Sequence, residues 1–321
     1  MNIVFFGSGG FALKSLEALA GSPHKVILAL THPDRPKGRH LETQTPELKV
    51  LADKLGIPAY QPEDPNSQQS IDFLRQFPAD LFVVVSYGHI LKEALLALPK
   101  LYPLNIHASL LPKYRGSSPI NWAIINGDKE TGISIIRMDR FMDSGDILSR
   151  RDIRIEEDDN YETLKAKLEV LAARTIIEAI DLISEKKAVF LKQNSAQASF
   201  APKLKKSDGL IHWEKEADCI SRQIKGLVPW PGAFTYYQGR LIKLWQAKAS
   251  TTAENTTVHP GEILETGKNG IMVACGKGSL VIQELQPESG KRLSAETFIN
   301  GYRLAAGQNF GLTKISADLD I

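Results

Sequence analysis

The sequence predicts an α/β chain in two parts: a parallel sheet with helices on both faces, followed by a small β-barrel. Two observations predict it. In the first two-thirds, short all-apolar runs alternate with longer stretches whose apolar residues recur at helical spacing. Beyond about Pro202 come closely spaced short strands broken by glycine turns. A length of 321 residues accommodates two domains of ordinary size, and the expected division is 1–202 and 203–321.

Each element follows from its local pattern. Ile3-Val4-Phe5-Phe6 has no polar face, as a central parallel strand should. Gly7-Ser8-Gly9-Gly10 turns the chain, and Phe11 to Leu19 reads as a helix. Val26 to Leu30 is a second buried strand, Leu48 to Leu55 a helix, and Ala79 to Val85 a third strand. Pro103 to Ile106 and Ile133 to Ile136 are shorter strands, the latter followed by a turn at Asp143-Ser144-Gly145-Asp146. A long helix is expected over Tyr161 to Ile183 and another over Lys215 to Lys225. The barrel strands are expected at Ala233–Tyr237, Leu241–Ala247, Gly261–Glu265, Ile271–Ala274 and Leu280–Leu285. The polar stretch 250–259 reads as a loop.

Composition narrows the function classes. The chain is 43% hydrophobic and 24% charged, ordinary values for a globular protein. Two cysteines, Cys219 and Cys275, build neither a disulfide framework nor a four-ligand zinc site. No apolar run reaches the ~18 residues of a membrane span, and the start lacks the basic region of a signal peptide, so the cytoplasm is expected. Net charge is +2, from 39 basic and 37 acidic residues. Residues 203–248 carry nine Lys/Arg against four Asp/Glu. That bias fits either an ordinary solvated face or a surface for a polyanion such as nucleic acid.

Three places could carry chemistry. The glycine turn lacks the third glycine of a dinucleotide fingerprint, so a nicotinamide cofactor is not expected. It still ends a strand at the edge where open α/β sheets bind ligands. Asn105 and His107 alternate along an extended segment and so face one side. An amide and an imidazole aimed at one spot can polarise a carbonyl and move a proton, or simply cap a strand end. Asp143 follows the next strand; beside His107 it would favour the imidazolium and orient the ring, whereas alone it caps a turn. His24, His32, His40, His89, His212 and His259 read as incidental, and Trp213 and Trp230 as packing residues.

The block NIHASLLPKYRGSSPINWAIINGD at Asn105–Asp128, followed by MDRFMDSGDI at Met138–Ile147, resembles the folate-dependent formyltransferases. PDRPKGR at Pro33–Arg39, VVVSYGHIL at Val83–Leu91, APKLKKSDGLIHW at Ala201–Trp213 and KGLVPWPGAFTYYQGRLIKLWQA at Lys225–Ala247 are similar to the tRNA-formylating branch of that family. The resemblance implies a Rossmann-like catalytic domain and an OB-like barrel. It implies transfer of a formyl group from 10-formyltetrahydrofolate to the α-amino group of methionine on initiator tRNA, without a metal and by a monomer. Asn105, His107 and Asp143 would be catalytic. Ser109, Leu110, Leu111 and Pro112 would bind folate, and Val85 to Ile90, with Tyr87, Gly88 and Ile90, would line the pterin site. Arg39 foremost, with Arg35 and Lys37, would reach the acceptor stem, and Lys203, Lys205 and Lys206 would meet tRNA phosphates.

There are departures. Gly9-Gly10 replaces a Pro-acidic pair, Ser118 stands where alanine is common, and His40-Leu41-Glu42-Thr43 is less basic than in many relatives. The rival readings are a formyltransferase for amino-sugar nucleotides with the same trio, a non-catalytic tRNA-binding protein, and a folate hydrolase.

Overall fold

The computed structural model describes residues 1–37, 42–250 and 258–311. Arg39, His40, most of the polar 250–259 stretch and the last ten residues lie outside the described residues. The chain divides into two compact units, one made of 1–119, 130–154 and 164–201, the other of 120–129, 155–163 and 202–321.

In the first unit the strands are β1 (Asn2–Gly7), β2 (Lys25–Leu30), β3 (Arg35–Lys37), β4 (Glu42–Gln44), β5 (Ala59–Tyr60), β6 (Leu81–Val85), β7 (Tyr102–His107), β8 (Glu130–Arg137) and β9 (Ile147–Arg154). The helices are α1 (Leu13–Ala20), α2 (Glu47–Lys54), α3 (Gln68–Leu74), α4 (Glu93–Leu96), α5 (Pro119–Asn126), which runs into the second unit, and α6 (Tyr161–Ser184). The main sheet runs β5-β2-β1-β6-β7-β8-β9. The pairs from β5 to β7 are parallel, whereas β7–β8 and β8–β9 are antiparallel. This is the expected Rossmann-like parallel sheet, extended at one edge by two antiparallel strands whose direction the sequence leaves open. For β8–β9 the cause is length: β9 follows β8 after a loop too short for a parallel crossover, whereas β7 and β8 are joined through α5 and loop length does not dictate their direction. Alternating polar residues in ILSRRDIR hid β9 from a search for apolar runs.

Burial follows the two periodicities. Ile3, Val4, Phe5 and Phe6 are all fully buried, so both sheet faces are covered at β1. On one face Val4, Phe6, Leu28, Phe82 and Val84 pack with Leu74 of α3 and Leu95 and Leu96 of α4. Helix α6 buries Leu164, Leu168, Ala172, Thr175, Ile176, Ala179, Ile180 and Ile183, the three- and four-residue spacing of one helical stripe. The chain leaves β1 for β2 and β5 on one side, then returns to place β6 on the other. That reversal makes a topological switch point beyond the carboxyl ends of β1 and β6, where Gly7 pairs with Val85 and where open α/β sheets place ligands. Gly7 is required there: an added Cβ would lie 2.8 Å from the Ala12 Cβ and 3.0 Å from the Phe5 ring. After β2, β3 and β4 pair antiparallel, with Arg35 opposite Gln44 and Lys37 opposite Glu42.

The second unit holds α7 (Ala217–Leu227), β10 (Ala233–Tyr237), β11 (Arg240–Ser250), β12 (Ile263–Gly267), β13 (Gly270–Ala274), β14 (Ser279–Pro287), β15 (Leu293–Ser294) and α8 (Ala295–Tyr302). Its strands run β10-β11-β14-β13-β12, with β15 added on β14. The sheet closes through main chain. The Gly311 N–H donates to the Tyr236 carbonyl, and the Phe310 N–H to that of Gly261, so the tail bridges β10 and the start of β12. Trp213 is the core anchor of this barrel. It is 1% exposed, lies against Phe310, and donates from Nε1 to Thr235 Oγ1 at 3.0 Å. Trp230, also expected as packing, is 52% exposed, because it sits between two prolines after α7 rather than in a strand. Helix α8 and β15 had no expectation from sequence. Asn121 of α5 belongs to this unit, with Nδ2 donating to the Gly226 carbonyl at 2.7 Å.

Among the described residues no helix is long and apolar enough to cross a membrane.

Candidate active site

The site is built where β7 ends. Asn105 and His107 leave the strand on one side, and β8 pairs beside them, Asn105 with Ile136 and His107 with Ser134. The β8–β9 loop then carries Asp143 back toward them. Its φ of 52° lies in the left-handed region, which Asp tolerates better than most residues. Asp143 Oδ1 accepts from Asn105 Nδ2 at 3.2 Å and stands 3.5 Å from His107 Nδ1. Asp143 Oδ2 accepts from the Gly116 N–H at 2.9 Å. The three side chains therefore meet, although 38 residues separate Asn105 from Asp143.

The imidazole is committed on its other side. His107 Nε2 lies 2.9 Å from the Tyr114 carbonyl. A carbonyl only accepts, so Nε2 carries a proton, and Nδ1 is the nitrogen left to exchange one. Nδ1 is on the face shared with Asn105 and Asp143, and it is the nitrogen of His107 that the Tyr114 carbonyl leaves open. Tyr114 has φ 61°, rare for a bulky residue. Its N–H donates to Ser199 Oγ at 2.9 Å, and the Arg115 N–H to the Ser199 carbonyl at 2.8 Å, which hold the turn. The His107 side chain is 6% exposed and that of Asp143 12%, so charge developing beside them is poorly screened by water.

The segments assigned to folate flank this trio. Ser134 Oγ donates to the Ser109 carbonyl at 2.7 Å and accepts from the Leu111 N–H at 3.0 Å, pinning the loop after β7. The Ser109 hydroxyl donates to the Lys113 carbonyl at 2.6 Å. The side chains of Ser109, Leu111 and Pro112 are buried, and that of Leu110 is partly exposed. Beyond β6, Ser86 and Ile90 are exposed whereas Tyr87 is buried in the sheet core. Asn66 braces this segment, its Nδ2 donating to the Ile90 carbonyl at 2.9 Å and its Oδ1 accepting from the Lys92 N–H at 2.7 Å. The Tyr87 ring stacks on His32, and His32 Nδ1 is 3.2 Å from His89 Nε2. Burial, with His89 and Arg35 nearby, holds His32 below its ordinary pKa. His32 and His89, expected to be incidental, pack with Tyr87 as a ring cluster beyond β6. Burial also pushes the Tyr87 hydroxyl well above its ordinary pKa.

Of the basic residues, Arg35, Lys203, Lys205 and Lys206 are exposed. Lys37 belongs to β3, and Arg39 lies outside the described residues. Among the described residues no group of three His, Cys, Asp or Glu side chains could hold a metal ion. Sequence reasoning missed Tyr114, Gly116 and Gln193 as partners of the trio. Tyr114 and Gly116 stood within the family-like block, but Gln193 lies in a stretch with no periodicity.

A doubly wound sheet with an amide, an imidazole and a carboxylate at its carboxyl edge defines an enzyme suited to acyl-type transfer at a small carbonyl centre. The formyl transferase family matches residues 1–180, and the formyl transferase C-terminal domain matches 203–303. The chain belongs to the formyl transferase family. It is 44% identical over 312 residues to the methionyl-tRNA formyltransferase of Geobacter sulfurreducens, covering 97% of each chain. It is 42% identical over 311 residues to that of Geotalea uraniireducens, covering 97% of this chain and 98% of the other. Two solved structures share the fold. The N-formyltransferase of Helicobacter canadensis, in complex with folinic acid and dTDP-3-aminofucose, superposes with TM-score 0.67 at 17% identity, over 89% of this chain and 99% of that one. HypX of Aquifex aeolicus, in complex with tetrahydrofolic acid, gives TM-score 0.62 at 14% identity over 96% of this chain, which spans about half of HypX (48%).

Proposed function

We propose that the protein transfers the formyl group of 10-formyltetrahydrofolate to the α-amino group of methionine esterified to initiator tRNA. Similarity along the whole chain, barrel included, to methionyl-tRNA formyltransferases carries the choice of substrate. The convergence of Asn105, His107 and Asp143 supports the chemistry. Asn105 Nδ2 donates to the formyl oxygen as negative charge builds on it, a contribution of roughly 3–4 kcal/mol when water is excluded. His107, oriented by the Nε2–H bond to Tyr114, supplies the second polarising contact as the imidazolium that the neighbouring Asp143 carboxylate favours, donating from Nδ1–H. Asp143, directly or through a water, takes the proton the amine loses as the new C–N bond forms. One proton then reaches the folate nitrogen as its bond to the formyl carbon breaks. The folate is held by the main chain and exposed side chains of Ser86–Ile90 and by the Ser109–Pro112 loop.

Purified protein supplied with the folate donor should formylate methionyl initiator tRNA and not an amino-sugar nucleotide. Formylation of the sugar alone would reject the substrate. Hydrolysis of the donor without transfer to either acceptor would make the protein a hydrolase instead.

We further infer that exposed Lys203, Lys205 and Lys206, with Arg35, meet tRNA phosphates. Each phosphate contact adds close to one unit to the salt dependence, so the three lysines alone would raise the KM for tRNA by more than about tenfold from 50 to 200 mM salt. The KM for folate should stay nearly constant. A flat response for tRNA would leave these lysines as an ordinary solvated face.

A further inference from the structure

We propose that Gln193 is a positioning residue for this chemistry: its carboxamide joins the loop that carries Asp143 to the segment that orients His107. The proposal rests on the formyl-transfer reading above. Gln193 Nε2 donates to the carbonyls of Asp143 and Gly145, each at 2.8 Å. Gln193 Oε1 accepts from Arg115 Nε at 3.1 Å and Nη2 at 2.8 Å. Both donors and both lone pairs of the amide are thus used.

The position of Arg115 gives these four bonds their meaning. On one side of it Tyr114 offers its carbonyl to His107 Nε2. On the other, Gly116 donates its N–H to Asp143 Oδ2. Asp143 and Tyr114 both sit at positive φ, 52° and 61°. Such backbone persists only where surrounding contacts over-determine it. Beside the Gly116 N–H bond to Asp143, the Gln193 amide is a contact shared by both turns, through the Asp143 and Gly145 carbonyls on one and the Arg115 side chain on the other. A glutamate would set carboxylate oxygens against two carbonyl oxygens, and a methionine of similar length would offer no comparable donor or acceptor. Gln193 acts through Asp143 and His107: none of its bonds reaches their functional atoms.

Gln193→Met in the full-length protein should lower kcat about 10- to 100-fold, as expected when reacting groups move by an ångström or less. The KM for folate and for tRNA should stay within about twofold. In an Asp143→Asn background the same substitution should cost clearly less than in the parent, since one of the two groups it positions is already gone and only its effect through His107 remains. The ring-proton NMR resonances of His107 should move in Gln193→Met without any turnover being measured. A kcat within about twofold of the parent, an undiminished further loss in the Asp143→Asn background, or unmoved His107 resonances would each overturn the proposal. If the parent transfers no formyl group at all, the reaction reading falls, and the His107 resonances still decide whether Gln193 sets the ring.

Discussion

Asp143→Asn should lower kcat for formyl transfer by about 10²- to 10⁴-fold and leave the KM for folate within a few-fold. The substitution is close to isosteric, and asparagine accepts the left-handed backbone that Asp143 adopts at φ 52°. The chemistry changes, however. Asp143 accepts on both oxygens, from Asn105 Nδ2 and from the Gly116 N–H, and faces His107 Nδ1. An amide has one oxygen, so its NH2 must oppose one of those donors, and it can take no proton from the attacking amine. His107→Ala should fall in the same range, because it removes the ring nitrogen that faces Asp143 and that the Tyr114 carbonyl leaves open. Steady-state kinetics with saturating tRNA and varied folate, alongside a thermal melt, separate the effect from unfolding. Activity within a few-fold of the parent would remove Asp143 from the mechanism.

Gly145→Ala should cost about 10²-fold in kcat although it adds one methyl group away from the reacting atoms. A Cβ at Gly145 would lie 1.8 Å from the Arg137 carbonyl oxygen. Backbone must move to admit it, and the backbone concerned is the β8–β9 loop holding Asp143. Overpacking of this kind costs about 1–3 kcal/mol, so the protein should still fold, with its melting temperature lowered by several degrees. Gly301→Ala is the matched control. It lies in α8, where an added Cβ meets nothing within 4 Å. Helix propensity there favours alanine by about 0.5–1 kcal/mol, so stability should be unchanged or raised and kcat unaffected. Equal kinetics for the two alanine variants would show that the loop tolerates displacement.

Local rules carried the sequence a long way. Uninterrupted apolar runs marked β1, β2 and β6, and helical spacing marked α6 to within a residue. Alternation placed Asn105 and His107 on one side of a strand end before any fold was known. These signals survive because each depends on neighbours a few residues apart. Strand direction is different in kind. β8 reads the same whether parallel or antiparallel, and its pairing partner β9 hides its period under arginines and an aspartate. Nor could spacing show that Asp143 meets His107, that Tyr114 offers its carbonyl to the ring, or that Gln193 spans both turns. Contacts between residues tens of positions apart depend on how sheet and loops are stacked. Only the folded chain sets distances of about 3 Å between them, and hydrogen-bond chemistry is decided at that scale.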